Sequence, residues 1–491
     1  MRTEEFGAEL KKLGFSDFVG VPCSYLAPLI NWAINENAFI MANNEGEAVA
    51  IASGISLASA LPLSDKSGSA SAHSLQRTTS ASHSFALHNP NFSSQMLPHE
   101  NELSLRDSRS ESKQSKKIPS LADGARGWVD SNTRKYGVVL MQNSGLSNAL
   151  SPITSLNHTF SIPILGFVSL RGEPNELGQN TDEPQHELLG RITDKLLQTC
   201  EIECAFLDSR LEVALEQLSH AKSVLESNKS FFFIVRNNCF EKVALTNNPL
   251  ELINPSLRGF EKAEAIHESN FGWLLRFARK FCGLPRLDCV KSRNDKVEKP
   301  TRLQALEIIQ NLGQDCAILA TTGKCGRELY ELGDKANQLY MVGSMGCVSA
   351  LGLGIALKSH KKVIAIDGDS ALLMRLGSLI GNAYYAKVAN KGNFCHILLD
   401  NQSHDSTGGQ FNLSPFIDFV AVAKSCGYEV AKKARDLSEF SAILSEFLRA
   451  KNGGAYFIYL DIARGSKKDL GRPKITPKQV AVRFSAWLNE S

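Results

Sequence analysis

Two oxygen-bearing side chains close consecutive apolar runs in the last third of the chain. Asp369 ends VIAIDGD (363–369), and Asn401 ends FCHILLDN (394–401). Carboxylate and amide oxygens are hard donors of the kind magnesium takes, while phosphate and water fill its remaining octahedral positions. In an open parallel sheet, ligands gather beyond the carboxyl ends of the strands. Both residues are expected there. Gly368 allows close approach to the backbone. The segment after it, Ser370-Ala-Leu-Leu-Met, reads as a helix start whose free N–H groups suit phosphate. Together these residues form a candidate site for a magnesium-bound diphosphate. Singly, Asp-Gly and Asn are ordinary turn residues; the paired spacing carries the reading.

The elements that must hold these residues alternate along the chain. Apolar runs that read as buried strands are DFVGVP (17–22), AFIMAN (38–43), YGVVLMQN (136–143), PILGFVSL (163–170) and FFFIVRN (231–237). Helical patterns such as LAPLINWAINE, EAVAIASGISLASA and DKLLQTC lie between them. After about residue 299 the architecture repeats, with CAILATTG (316–323), VIAIDGD, FCHILLDN and AYFIYLDI (455–462). Short uninterrupted strands alternating with helices predict an α/β chain with two doubly wound parallel-sheet domains. The expected boundaries are a first domain over 1–238, a connector over 239–298 and a second domain over 299–491. Within the first domain, residues 63–135 are rich in Ser, mixed in charge and without apolar periodicity. Such a segment cannot bury enough surface to offset its ordering entropy, so a disordered insertion is expected. Tyr340–Leu357 carries no charge but is crowded with Gly and Ser. It reads as a buried turn and helix rather than a membrane span.

Two more patterns accompany the Asp369/Asn401 pair. NNEGEAVAIASG puts Glu45 nine residues before Gly54, and VGSMGCVSALGLG puts Met345 before Gly346. As a set, the three patterns resemble the thiamine diphosphate-dependent decarboxylase family. The resemblance implies that Asp369, Asn401 and the backbone carbonyl of Ser403 hold Mg2+. It implies that Glu45, rather than nearby Glu47, faces the cofactor's aminopyrimidine and sets its reactive tautomer. Met345 is then the apolar wedge under the bent cofactor. Gly368 and Ser370 fall on the diphosphate, with Ser370 standing where the family has Gly. Thr322, Gly323 and Ser344, at strand ends and turns, are further candidates for the diphosphate cradle.

Five substrate-side segments narrow the resemblance: GVPCSYLAPLIN (20–31), MQNSGLSNALSPITSL (141–156), RGEP (171–174), DEPQHELLG (182–190) and LLDNQSHDSTGGQ (398–410). They resemble the phosphonopyruvate decarboxylase branch, over most of the chain except the Ser-rich insertion and parts of the connector. Departures fall at Ser147, where the family has Gly, and at Asp400, where it has a second Asn. The branch implies decarboxylation of 3-phosphonopyruvate to phosphonoacetaldehyde and carbon dioxide, in phosphonate biosynthesis. It also implies a homodimer or homotetramer whose active sites are shared, Glu45 of one chain reaching a cofactor held by another. Arg171 is a candidate clamp for the substrate's anionic groups, because a guanidinium forks onto oxyanions. Ser24 and Asn143 are candidates to orient substrate oxygens. His186 and His404 are candidates for proton transfer, since imidazole titrates near neutral pH. The alternatives are a sulfopyruvate decarboxylase, a decarboxylase of unsubstituted 2-oxo acids, and a non-catalytic Rossmann-like binding protein. Glu45 argues against the last.

Composition sets the outer limits. The 491 residues are 43% hydrophobic and 21% charged, with 54 basic against 51 acidic residues and a net charge of +3. That balance excludes a nucleic-acid partner recruited by bulk charge. The 11 cysteines include no Cys-x-x-Cys, which favours reduced thiols over a disulfide framework or a zinc site. The start, MRTEEFGAELKKLGF, lacks a signal-peptide apolar core and carries acids that a transit peptide avoids. A cytoplasmic protein without a membrane partner is expected.

Overall fold

The computed structural model describes residues 1–59, 134–180, 182–247, 299–467 and 469–490. The Ser-rich insertion expected over 63–135, except its last two residues, and the connector beyond residue 247 lie outside the described residues. The first sheet has six strands: β1 (Asp17–Gly20), β2 (Phe39–Met41), β3 (Gly137–Gln142), β4 (Leu165–Ser169), β5 (Glu203–Phe206) and β6 (Phe231–Val235). Their order is β2-β1-β3-β4-β6-β5, and every pairing is parallel. The second sheet also has six strands: β7 (Cys316–Ala320), β8 (Gln338–Tyr340), β9 (Lys362–Gly368), β10 (Phe394–Asp400), β13 (Val430–Ala434) and β14 (Tyr456–Asp461). Its order is β13-β14-β10-β9-β7-β8, again parallel throughout. Between β10 and β13, β11 (Ser403–His404) and β12 (Gln410–Phe411) form a small antiparallel pair.

Every strand read from the sequence is present; β9 is shifted by one residue at equal length and the others are shortened by one to three residues. In the two large sheets three strands were missed: β5, β8 and β13. All three lie at sheet edges. β5 has no buried residue, β13 exposes Lys432 and Lys433, and β5 exposes Glu203, charges that protect an exposed edge and break the apolar run. β8 has only three residues, all buried, too few to show a period.

Strand alternation divides the core. On one face of the first sheet, Val19, Val139, Val168 and Phe232 join a cluster that runs on into Ile318, Ile364 and Ile397 of the second sheet. On the other face, Phe18, Leu140, Phe167 and Phe233 build a separate cluster. Successive side chains of a strand point to opposite faces, so one run of apolar residues feeds both layers.

The join between the sheets is a helix pair. Helix Glu45–Ala58 is buried from Gly46 to Leu57, and helix Val348–Lys358 from Val348 to Ala356. Both are made mostly of small residues, largely apolar, around the whole circumference, as a helix enclosed by protein requires. They cross at glycine. A Cβ on Gly54 would lie 2.2 Å from the Leu351 carbonyl oxygen, and one on Gly354 would lie 2.1 Å from that of Ile51. The uncharged stretch 340–357 is thus a strand end, a turn and a buried helix. No described helix is long and apolar enough to cross a membrane. All cysteines among the described residues are free.

In each sheet the chain order reverses beside one strand. β1 has β2 and β3 on its two sides, and β7 has β8 and β9. Such switch points leave a crevice at the carboxyl ends of the strands. The first sheet opens its crevice near Ser24, Glu45 and Asn143, the second near Thr321–Lys324 and Asp369.

Candidate active site

The second sheet supplies the oxygen pocket. β9 and β10 are neighbours, so Asp369 and Asn401 follow adjacent strand ends, as the sequence indicated. The chain turns left-handed at Gln402 (φ 56°) and brings the Ser403 N–H between them. That N–H donates to Asp369 Oδ2 at 3.3 Å and to Asn401 Oδ1 at 3.2 Å. Asp369, Asn401 and Ser403 are all buried, and Ser403 Oγ has no hydrogen-bond partner. A Cβ placed on Gly368 would meet nothing within 4 Å. There is open space above the strand end.

The charge here suits a dication. Asp369 receives hydrogen bonds from Ser370 N (2.7 Å), Ser370 Oγ (3.3 Å), Ser403 N and Asn412 Nδ2 (2.9 Å), all of them neutral groups. Asp400 lies beneath, 1% exposed, bonded by Gln402 N, Ser414 Oγ and Tyr459 Oη. Burial, and then the neighbouring Asp369, hold its carboxyl above the usual carboxylate range. Buried carboxylates without a cation of their own are destabilised unless a positive ion joins them. Asp369, Asn401 and Ser403 therefore fit Mg2+ by donor chemistry and by charge. The departure at Asp400 adds a further acid behind the pocket. Ser370 turns its hydroxyl inward, donating to Asp369 and accepting from Asn412 Nδ2 at 2.7 Å. It was expected on the diphosphate; in this arrangement its side chain serves the carboxylate instead.

Around the pocket stand the other strand-end loops. Thr322 Oγ1 accepts from Gly343 N at 2.9 Å. Gly323 adopts φ +95°, and a Cβ there would sit 2.5 Å from Ser406 Oγ. The loop carrying Met345 turns sharply, with left-handed backbone at Gly343, Ser344 and Gly346. Gly346 passes so close to the helix after Asp369 that a Cβ would lie 2.6 Å from the Ala371 carbonyl oxygen. Met345 is half-buried at the tip of this turn.

The first sheet supplies the acid. Glu45 is the first residue of its helix and is half-buried. Its Oε2 accepts from Asn148 Nδ2 at 2.9 Å, and Gly145 lies against the carboxyl, where a Cβ would fall 2.0 Å from Oε1. Glu47 is different. It is fully buried, accepts from Asn43 N at 3.0 Å and Asn43 Nδ2, and burial pushes its carboxyl upward. The turn that holds Glu45 touches the second sheet's loops directly. Ser155 and Ser344 hydroxyls are 2.6 Å apart, Asn43 Nδ2 donates to the Gly377 carbonyl at 3.0 Å, and Arg375 bonds Asn44 Oδ1 and the Asn148 carbonyl. These contacts lie within a single chain. The Gly54–Gly354 crossing holds the two sheets together within one polypeptide.

Ser24, Asn143 and Arg171, expected on the substrate side, follow the ends of β1, β3 and β4. Arg171, expected as an anion clamp, has its fork filled. Its Nε and Nη2 bond Asp182 at 2.5 Å each, Glu183 lies 3.6 Å away, and the guanidinium rests 5.3 Å from the Tyr25 ring. Arg171 holds the Asp182 carboxyl well below its ordinary range. A free guanidinium is thus replaced by a neutralised pair. Asn143 is fully buried and donates to the Arg171 carbonyl (2.8 Å) and Thr193 Oγ1 (3.2 Å), leaving Oδ1 unpartnered. Ser24 is exposed in the turn after β1. His186 is buried, with Nε2 3.5 Å from Glu183 and Nδ1 unpartnered. His404 is half-buried in β11, its carbonyl accepting from Thr407 N and Gly409 N. Sequence reasoning missed Arg302, Asp405, Asn412, Asn148 and Arg375. LLDNQSHDSTGGQ contained Asp405, but no local spacing pointed to its partners.

Residues 322–460 match the family model described as Thiamine pyrophosphate enzyme, C-terminal TPP binding domain. The phosphonopyruvate decarboxylase of Streptomyces viridochromogenes is 32% identical over 485 residues, which cover 98% of this chain and 93% of that protein. The sulfopyruvate decarboxylase subunit beta of Methanothermobacter thermautotrophicus is 39% identical over 137 residues, 28% of this chain and 72% of that subunit. Among solved structures, benzoylformate decarboxylase from Polynucleobacter necessarius matches with a TM-score of 0.56 at 11% identity, covering 95% of this chain and all of that one; this is a likeness of fold. The paired sheets and the matched domain define a thiamine diphosphate-dependent decarboxylase. The nearly full-length match goes further, and the chain belongs to the phosphonopyruvate decarboxylase family.

Proposed function

We propose that the chain decarboxylates 3-phosphonopyruvate to phosphonoacetaldehyde and carbon dioxide, using thiamine diphosphate and Mg2+. The observation that carries this reading is the meeting, in one chain, of the Glu45 turn with the loop 343–347 beside the Asp369 pocket. Asp369 Oδ2, Asn401 Oδ1 and the Ser403 carbonyl would hold the ion. Thr322, Gly323, Ser344 and Gly368 would line the diphosphate. When bound, the cofactor supplies an electron sink for the pair left behind by carbon dioxide. Glu45 holds the proton that this chemistry needs: Asn148 fixes Oε2, and Oε1, against Gly145, is the oxygen left to exchange it. Ser24 and His404 are the groups that face the substrate, His404 as the proton donor. Arg171 and Asn143, both engaged inside the fold, shape the substrate side and do not grip the anion directly.

A second reading is sulfopyruvate decarboxylation, favoured by the 39% identity to the sulfopyruvate decarboxylase subunit beta. The assembly is proposed to be a homodimer or homotetramer. Phe411, Leu413 and Phe416 are exposed on the loop after the metal pocket, and Met374 and Ile380 on the segment after Asp369. Large apolar side chains exposed together mark contact surfaces.

The deciding experiment measures carbon dioxide release from phosphonopyruvate, sulfopyruvate and pyruvate, each with and without thiamine diphosphate and Mg2+. The expected result is release that depends on both additions and a kcat/KM for phosphonopyruvate at least about tenfold above the others, a difference of about 1.4 kcal/mol in transition-state binding. Faster turnover of sulfopyruvate would replace the substrate assignment. Release without the cofactor would overturn the mechanism.

A further inference from the structure

An asparagine side chain ends in an oxygen and an NH2 of nearly the same shape, and only the oxygen ligates a hard cation. A metal pocket that uses Asn401 needs something to choose between the two ends. Asn401 Nδ2 donates to Asp405 Oδ2 at 2.5 Å. An ionised carboxylate only accepts, so this contact forces the NH2 toward Asp405. The other end agrees: Asn401 Oδ1 takes the Ser403 N–H, which is also bonded to Asp369 Oδ2. Asp405 is itself anchored. Arg302 Nη2 at 2.9 Å and Gly465 N at 3.1 Å both reach the same Oδ2. Arg302 is 7% exposed and is backed by Glu328, 1% exposed, at 3.5 Å. The anchor therefore comes from three distant segments: the start of helix Arg302–Leu312, the helix Lys324–Leu332 that carries Glu328, and the loop after β14.

We propose that Asp405 is a positioning residue for the metal site: it locks the Asn401 amide with Oδ1 turned to Asp369, while Arg302 and Gly465 hold Asp405 in place. This rests on the assignment of Asp369, Asn401 and Ser403 to Mg2+. The role is one of acceptor geometry, because all three donors meet a single oxygen. Two consequences follow. Asparagine at 405 can put its own oxygen where Oδ2 stands and keep the lock. Aspartate at 401 has an oxygen at either end and does not need the lock.

The test uses Mn2+ as the probe, with thiamine diphosphate present, and reads free Mn2+ by electron paramagnetic resonance. Titrations compare the full chain with Asp405→Ala, Asp405→Asn, the double variant Asn401→Asp/Asp405→Ala, and Asp369→Asn. Loss of a partner that orients a ligand weakens metal affinity about 10- to 100-fold. That loss is expected for Asp405→Ala, with Asp405→Asn within about threefold of wild type and the double variant regaining at least about tenfold over Asp405→Ala. Melting temperatures without metal identify any variant that fails to fold; Asp405→Asn and the double variant then carry the comparison. Asp405→Ala binding as tightly as wild type, Asp405→Asn losing as much as Asp405→Ala, or a double variant without recovery would each overturn the proposal. If Asp369→Asn abolishes binding while Asp405→Ala does not, the pocket stands and the role of Asp405 falls. If wild type binds no Mn2+, or Asp369→Asn binds as well as wild type, the pocket assignment falls and takes this proposal with it.

Discussion

Glu45 and Glu47 leave the same helix two residues apart and meet different surroundings. Glu45 keeps one oxygen on Asn148 and the other against Gly145. Glu47 points into protein, bonded by Asn43. Glu45→Gln is expected to lower kcat about 100-fold or more, the scale of a lost general acid–base group, with thiamine diphosphate still bound. Turnover near wild type in stopped assays would remove Glu45 from the mechanism. Gly145→Ala drives a methyl into the Glu45 carboxyl, and a displacement of about 1 Å at a reacting group costs about 100-fold; kcat should fall while the circular dichroism spectrum is kept. Glu47 gives the pH prediction. Burial, its largest influence, raises its carboxyl above the ordinary range, opposed by the Asn43 hydrogen bonds and the charge of Arg375. The folded chain then binds that proton more tightly than the unfolded chain does, so stability is lost as pH climbs above the ordinary carboxylate range. Glu47→Gln should melt with wild type at acid pH and above it at neutral pH. A wild type that gains on the variant as pH rises would contradict this.

At the scale of elements, the crossing of helices Glu45–Ala58 and Val348–Lys358 joins the two sheets. Glycine is required at the crossing because backbone meets backbone at Gly54 and Gly354. Gly54→Ala or Gly354→Ala is expected to destabilise the chain by about 1–3 kcal/mol, the usual range for overpacking a full core, and to lower activity further by parting Glu45 from the loop 343–347. Urea denaturation of both variants measures the first effect; unchanged midpoints would mean that the helices do not touch there. The nine-residue interval from Glu45 to Gly54, read in the sequence as a family resemblance, has this physical counterpart. The same helix carries the acid at its start and the contact glycine further along, so a fixed spacing joins them. Edge strands β5, β8 and β13 were not legible, being polar or too short to show a period.

Across the whole molecule, the pocket between strand ends links ligand binding to stability. Binding at a hundredfold excess over Kd adds about 2.7 kcal/mol to the folded state. Mg2+ and thiamine diphosphate together should therefore raise the melting temperature, a chelator should reverse the rise, and Asp369→Asn should abolish the part due to Mg2+. A melting temperature indifferent to both ligands would leave the buried carboxylates at 369 and 400 unexplained. Light scattering is expected to give a mass of two or four chains; a monomer would leave the apolar side chains of 411–416 facing water.

Beside the family resemblance that singled out Glu45, the sequence by itself determined the alternation that makes two parallel sheets and the neighbouring strand ends that carry Asp369 and Asn401. These follow from local periods, which repeat within a few residues and survive in one dimension. Only the tertiary structure decided what those residues touch. Arg302 reaches Asp405 across 103 positions, Arg375 reaches Asn44 across 331, and Asp182 fills the fork that Arg171 was expected to offer a substrate. Hydrogen bonds and ion pairs form between atoms a few ångströms apart in space, and separation along a chain carries no record of that distance until the sheets have closed around it.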